Sequence, residues 1–442
     1  MPTCQSASKL DKHAKLVPSI NPFKVYGRVN QMVGILLEVG GITPCIGETC
    51  VMCPGEGTRE MDLEVVGFRG GRALMMPVGA VDGVGPGCRV ETTGRKAEAM
   101  VGAGLAGRVI DGLGNPMDGK GPVPAASPRS LYGKEINPFT RARIEKPLDV
   151  GIRAINSLLT VGKGQRMGIM AGSGVGKSVL LGMMAKYTTA DINVIALIGE
   201  RGREVREFIE RDLGTEGLAR SVVVVATSDQ PPLMRLRAAF LATSAAEYFR
   251  DMGRDVLLMM DSATRVAMAQ REIGLAAGEP PTTKGYPPSA FALLPKLLER
   301  AGTDDGTGSI TGFYTVLAEG DDMNDPVADA MRSILDGHIV LSRDIAARGH
   351  YPAIDVLQSI SRVMPDIVDD NQIKAARRFV EVMADYARNE DLINIGAYKP
   401  GSSPKIDFAL AMKDRMDAFL RQGLGERATT AETLRDLFRV FE

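Results

Sequence analysis

The sequence predicts an α/β protein whose main body is a mostly parallel sheet covered by helices, with a small β domain before it and a helical region after it. Three observations predict this. Residues 24–90 read as short β segments broken by glycine: KVYGRV, GILLEV, CVMC, DLEVVGF and RALMMPV. Strands this short, with turn signals between them, suggest a small barrel or sandwich. From about residue 150 apolar runs (RMGIM, NVIALI, SVVVVA, DVLLMM and ITGFYTVLAE) alternate with helical stretches such as SVLLGMMAKYT and PLMRLRAAFLATSAAEYFRD. Runs that are apolar throughout, separated by helices, are the pattern of strands buried on both faces. After about residue 366 the strand signal fades, and IKAARRFVEVMADYARN, PKIDFALAMKDRMDAFLRQG and TTAETLRDLFRVF read as amphipathic helices.

The chain has 442 residues, more than one hydrophobic core usually organises, so several domains are expected. The boundaries read from the pattern are an N-terminal segment over 1–22, a β-barrel domain over 23–92, the α/β core over 93–366 and a helical domain over 367–442. Lys+Arg is 53 and Asp+Glu is 54, a net charge of -1, which provides no general attraction to nucleic acid or an anionic membrane. Aromatic residues are 5% and Trp is absent, so base-stacking surface is scarce and a nucleic-acid translocase is disfavoured. The first twenty residues, MPTCQSASKLDKHAKLVPSI, lack the apolar core of a secretory signal, and no run is long enough to span a bilayer. A cytoplasmic protein with any membrane role peripheral is the expectation. Five cysteines, an odd count, fit reduced thiols. Cys45, Cys50, Cys53 and Cys88 follow one iron–sulfur spacing, but packing of small apolar side chains in TCVMC explains them better. His13, His338 and His350 are scattered, which argues against a histidine metal site.

The chemistry begins at Ala171-Gly172-Ser173-Gly174-Val175-Gly176-Lys177-Ser178, continuing into Val179. It follows the RMGIM strand and opens a helix, the context in which such a loop cradles phosphate. Glycines let backbone N–H groups close on phosphate oxygens, and the helix N-terminus adds its positive end. Lys177 can reach the β and γ phosphates, and Ser178 can ligate magnesium. The strict pattern starts with glycine, where this chain has the small Ala171. VLLMMD ends in Asp261, a carboxylate at the carboxyl edge of the sheet, where it would hold Mg2+. IGERGREV places Glu200 at the same edge, suited to orient or deprotonate an attacking water. SISRVMP holds Arg362, one arginine among many on residue type alone.

GERGREV, DSATRVAMAQREIGLAAGEPPTTKGYPPSAFALLPKLLERAG, ILDGHIVLSRDIAARGHYPAIDVLQSISRVMP and GRVIDGLGNPMDGKGP together resemble the rotary and secretion ATPase superfamily. The likeness runs from about residue 24 to the end. AGSGVGKSVLLGMMAKYT and GKGQRMGIMAGSG look most like the flagellar type III protein export ATPases, with the injectisome ATPases as near relatives.

The resemblance implies a RecA-like P-loop core and hydrolysis of ATP to ADP. It implies Glu200 as the catalytic carboxylate and Arg201 and Arg265 on the phosphates. It also implies Arg362 as a finger offered to a neighbour's nucleotide, and Tyr351, with Tyr398 as a second wall, against adenine. It further implies a ring of six identical subunits and a stalk-like protein in the pore, faced by the loops 278–289 and 319–326. A stator-like regulator on the N-terminal segment, an export gate and substrate–chaperone complexes at the inner membrane, and no nucleic acid, complete the expectation. The alternatives are an injectisome ATPase, an ATP synthase-type subunit, a Rho-like RNA translocase and a nucleotide-binding subunit without turnover.

Overall fold

The structure is a computed structural model that describes residues 25–53, 60–81, 83–124, 126–133, 136–317 and 325–442. The expected regulator-binding segment 1–22 and most of the EGDDMNDP loop lie outside the described residues. Two compact units divide between Ala97 and Glu98.

The first unit is a barrel. Its strands are β1 (Tyr26–Val33), β2 (Leu36–Gly40), β3 (Glu48–Cys53), β4 (Met61–Arg69), β5 (Arg72–Pro77) and β6 (Arg89–Lys96). They close in the order β1-β2-β5-β4-β3-β6, every pairing antiparallel. Alternation is cleanest in β3, where Cys50 and Met52 face inward with Leu37, Val39, Leu63, Val65 and Met75. Closure removes the exposed strand edges that a short-stranded sheet would otherwise present. The boundary expected at residue 92 falls inside β6, because the last strand is needed to close the barrel on β1. Cys50 packs in this core, where burial, then the nearby Glu48 carboxylate, pushes its thiol up to about 12. No group of three or more His, Cys, Asp or Glu able to hold a metal occurs among the described residues.

The second unit is built on a nine-stranded sheet. Its path runs Ile354–Ser361, Gly337–Leu341, Arg166–Ala171, Ser309–Leu317, Asp255–Asp261, Ile192–Ile198, Ser221–Ala226 and Arg108–Asp111. All pairs along it are parallel except the first, where Ile354–Ser361 runs antiparallel at the edge. The ninth strand, Gly302–Thr303, pairs antiparallel with Ser309–Leu317. Every residue of Ile192–Ile198 and Ser221–Ala226 is buried, as the uninterrupted apolar runs predict. Arg108–Asp111, Gly337–Leu341 and Ile354–Ser361 carry no such run and were not expected from the sequence. Each borrows its burial from the sheet it joins.

The helices Asp370–Asn394, Pro404–Leu420 and Thr430–Arg439 form the C-terminal region. Thr429 and Glu432 cap the last of these reciprocally, side chain to backbone in both directions. Phe379, Phe419, Met416 and Leu437 share one apolar cluster with the core residues Ile155, Ile169 and Leu181, so these helices pack into the second unit. No helix among the described residues is long and apolar enough to cross a membrane.

Candidate active site

The strand Arg166–Ala171 lies between Gly337–Leu341 and Ser309–Leu317, near the middle of the sheet. At its carboxyl end the chain turns through Gly172–Gly176 into the helix Lys177–Tyr187. Gly174 (φ 79°) and Gly176 (φ 86°) are left-handed, the conformation a side chain would disfavour. The loop opens on a cleft of about 630 Å³. Ala171, Gly172, Ser173, Gly174, Gly176, Lys177, Ser178 and Val179 line it, together with Glu200, Arg201 and Arg265. Val175 is the exception: it turns into the apolar core and anchors the loop.

The neighbouring strands deliver the acids. Ile192–Ile198 ends two residues before Glu200, and Asp255–Asp261 ends on Asp261. Lys177 Nζ makes a close ion pair with Asp261 Oδ1 and lies 3.5 Å from Glu200 Oε1. Thr315 Oγ1 donates to the same Asp261 oxygen at 2.7 Å, fixing it on the strand next door. Burial works against the Lys177 ammonium, but Asp261 and Glu200 outweigh it and hold its pKa above the ordinary lysine value. Glu200 is left short of positive charge. Burial raises its carboxyl most, Lys177 pulls it down, Asp261 pushes it up again, and the result is about 7. A carboxyl near neutrality is suited to take up and release a proton at cellular pH.

Arg265 stands on the helix Ala263–Ala277, whose Ser262 cap accepts from the Arg265 backbone N–H at 3.2 Å. Its stem packs on Gly199, where a Cβ would come within 2.8 Å of Arg265 Cγ. Glycine at 199 is therefore what lets Arg265 lie beside Glu200. The Arg265 Nε is buried without a hydrogen-bond partner, a donor that a phosphate oxygen would satisfy. Arg201 is solvent-exposed, 3.6 Å from Glu204. The residues present fit a magnesium nucleotide: a glycine cradle, an unpaired arginine donor, a hydroxyl at Ser178 and a hard carboxylate at Asp261. Sequence reading missed Glu204, Ser228 and Arg343, which also line the cleft. Ser228 N–H donates to Glu200 O at 3.0 Å, and Arg343 opens the helix Arg343–Ala347 behind the Ser342 cap. Of these, only Arg343 had a legible signal, as the position after a serine cap at a strand end.

Comparison with known proteins gives this site its context. Residues 151–361 match the ATP synthase alpha/beta family, nucleotide-binding domain, and residues 368–439 match the T3SS EscN ATPase C-terminal domain. The chain is 56% identical to a flagellum-specific ATP synthase of Bacillus subtilis over 93% of this chain and 94% of that protein. It is 51% identical to a flagellum-specific ATP synthase of Salmonella typhimurium, covering 96% of this chain and 95% of the other. The assembled ATPase EscN of the enteropathogenic E. coli type III secretion system superposes with a TM-score of 0.89 at 44% identity, over 94% of this chain and all of EscN. The chain belongs to the flagellar and type III secretion ATPases.

Within an ATPase of this family the remaining predicted residues separate into three groups. Tyr351 stands beside the phosphate loop: a Cβ on Gly176 would lie 3.4 Å from its ring. Tyr351 is 44% exposed, and its backbone carbonyl accepts from Gln422 N–H at 3.0 Å. That bond brings up the loop 421–426, whose Leu424 is exposed and whose Leu424 carbonyl accepts from Tyr187 O–H at 3.2 Å. Tyr398, expected as the second wall, does not line the cleft. Its hydroxyl donates to Asp407 Oδ1 (2.9 Å) and accepts from Ser403 N–H (3.2 Å), so it tightens the turn between two C-terminal helices. Arg362 is also absent from the cleft. Ser361 pairs with Gly337, whereas Leu341, at the other end of that strand, pairs with Ala171 of the phosphate strand. Four residue rises of about 3.3 Å therefore separate Ser361 from the level of Ala171. Arg362 lies beyond Ser361, its N–H on Asp336 O, so it stands at the opposite end of the strands from its own phosphate loop.

Proposed function

We propose that this chain hydrolyses ATP to ADP and phosphate to energise type III protein export during flagellum assembly. The observation that carries the reading is the single buried Lys177 shared by Asp261 and Glu200 at the mouth of the glycine loop. Lys177 exchanges its carboxylate partners for the β and γ phosphates when nucleotide enters. Ser178 and Asp261 would hold magnesium, which would supply neutralisation of the phosphate charge there. Glu200 positions the water and takes its proton. Arg265, with Arg201 at the rim, neutralises the phosphoryl oxygens. Tyr351 stacks on the base, and Leu424 offers an apolar surface from the loop held against it.

Arg362 completes the site of a neighbouring copy. Its place at the far end of the strands supports action in trans, and a homomeric ring of six provides the neighbour. The EscN complex with its central stalk EscO supports a stalk-like partner in the pore of that ring. A stator-like regulator at residues 1–22, an export gate and substrate–chaperone complexes at the cytoplasmic face of the inner membrane complete the assembly. Identity to flagellum-specific relatives, 56% and 55%, supports the flagellar system, while a type 3 secretion system ATPase of Xanthomonas euvesicatoria stands at 51%.

The test is the ATPase rate against protein concentration, with Arg362→Ala alongside. A rate that rises faster than linearly and collapses in the variant, with nucleotide binding by dilute protein kept, is the expected result. A linear rate untouched by the variant would sink the shared site.

A further inference from the structure

The phosphate strand Arg166–Ala171 has a second end, and the groups that crowd it take no part in the mechanism above. Gln165 is completely buried. Its Nε2 donates to Ser361 Oγ at 3.0 Å and lies 3.3 Å from Asp336 O, while its Oε1 accepts Gly162 N–H at 2.8 Å. Arg166 grips Asp336 with two parallel bonds, Nε to Oδ2 at 3.0 Å and Nη2 to Oδ1 at 3.1 Å, and its backbone N–H adds a third to Oδ2 at 3.0 Å. Asp336 O accepts the backbone N–H of Arg362 at 3.0 Å, and Ser361 Oγ donates to Thr160 O at 2.8 Å. The Arg362 side chain, by contrast, is exposed, and its Nη2 donates to the Arg332 carbonyl at 3.3 Å.

The root of Arg362 is thus pinned by a bidentate, charge-assisted pair and a buried amide, while its guanidinium lies at the surface with one hydrogen bond to a backbone carbonyl. Bidentate carboxylate–guanidinium contacts set geometry as well as energy. A buried amide with both its oxygen and its nitrogen engaged admits few alternative arrangements.

Building on the reading of Arg362 as a residue offered to the next copy, we propose that Gln165, Arg166 and Asp336 are positioning residues for that arginine. They tie it to the far end of the strand that carries this chain's own phosphate loop. The strand is bonded on both sides by parallel neighbours, so a displacement at Gly172–Lys177 is carried to Asp336 and from there to the site next door. One chain then links two nucleotide sites: its own through the loop, the neighbour's through the finger.

Asp336→Asn and Ser361→Ala test this with small cuts. Both are expected to lower kcat by about 10- to 100-fold, the effect of misplacing a transition-state group by about an ångström. The KM for ATP and the affinity of dilute protein for a fluorescent ATP analogue should stay within about twofold of wild type. The deciding readout is subunit mixing. Lys177→Ala chains have an intact finger root and a dead site of their own, so adding them to Asp336→Asn chains should restore turnover. Arg362→Ala mixed with Lys177→Ala is the control. Recovery in the control without recovery for Asp336→Asn would overturn the inference, since Asp336 would then act on its own phosphate strand. No recovery in the control would remove the trans reading of Arg362 and the inference with it. Unchanged kcat in both variants would also overturn it.

Discussion

Two groups of buried charges in the core each set one cation against carboxylate, and they behave in opposite ways. In the first, Arg108 Nε and Nη2 meet Asp118 Oδ2 and Oδ1 at 2.7 and 2.9 Å, and Val109 and Lys120 add backbone N–H groups to the same carboxylate. The Arg108 hydrogen bond, aided by those N–H groups and opposed by burial, holds the Asp118 carboxyl well below the usual range. In the second, Lys177 alone faces Asp261 and Glu200, and the Glu200 carboxyl rises to about 7. The first group is satisfied within the chain and braces the GRVIDGLGNPMDGKGP segment. The second carries more negative charge than its one cation balances, and Arg265 beside it keeps a buried Nε unpaired. A saturated cluster stabilises the fold, whereas an unsaturated one in an open cleft is arranged for a ligand.

The contrast can be broken, beginning with the largest effect. Lys177→Ala should abolish turnover, by about 10³-fold or more, since the phosphates lose their main cation. A rate assay at saturating ATP checks this, and substantial residual turnover would show that the cluster is structural. Glu200→Gln should keep nucleotide affinity and lose about 10²- to 10⁴-fold in kcat; retained hydrolysis would move the base to another residue.

Arg300 supplies a structural counterpart. It is 2% exposed, makes two bonds to Glu247 at 2.7 and 2.8 Å, and reaches Leu131 O and Ser244 Oγ at 2.9 Å. Arg300→Met should cost about 3 kcal/mol or more in urea denaturation, because Glu247 loses its main partner in a buried site. Nucleotide affinity of the remaining folded protein should be unchanged.

Acid and base titration should separate the two carboxylates by sign. Asp118 is depressed, so its contribution is present above its unfolded value near 3.8 and is lost as pH falls further. The stability gap between wild type and Asp118→Asn should therefore shrink in acid. Glu200 is raised, so the nucleotide-free fold holds its proton more tightly than the unfolded chain, from about 4.5 to about 7. Its contribution is full below that window and is lost as pH rises through it, and Glu200→Gln should flatten this slope. Melting curves across pH check both signs. Smallest of all, Tyr351→Ala should weaken ATP binding by roughly 1 kcal/mol, about fivefold, while Tyr351→Phe leaves it unchanged, if the ring acts by stacking.

Local signals in the sequence were strong wherever one physical constraint acts over a short span. NVIALI and SVVVVA could only be strands buried on both faces, and the glycine loop between RMGIM and SVLLGMMAKYT announced itself by spacing. Asp261 and Glu200 were legible because each closes an apolar run. TCVMC was legible as a short strand of a small β domain, but closure into a barrel depends on β6 meeting β1 across sixty residues. What remained hidden depends on partners distant in the chain. Ser228 reaches the cleft only because the sheet order places strand ends side by side, and Tyr398 bonds instead to Asp407 of the helix that follows it.

The sequence by itself determined the strand–loop–helix cradle, the acids at the sheet edge and the three-part course of the chain, since propensity, apolar periodicity and glycine's conformational freedom act between near neighbours. Tertiary structure alone decided that Lys177 is shared by two carboxylates, that Arg265 lies over Gly199, and that Arg362 stands at the opposite end of the strands from its own phosphate loop. Those outcomes follow from parallel register and sheet order, which bring residues tens to hundreds of positions apart within bonding distance, or set them beyond it.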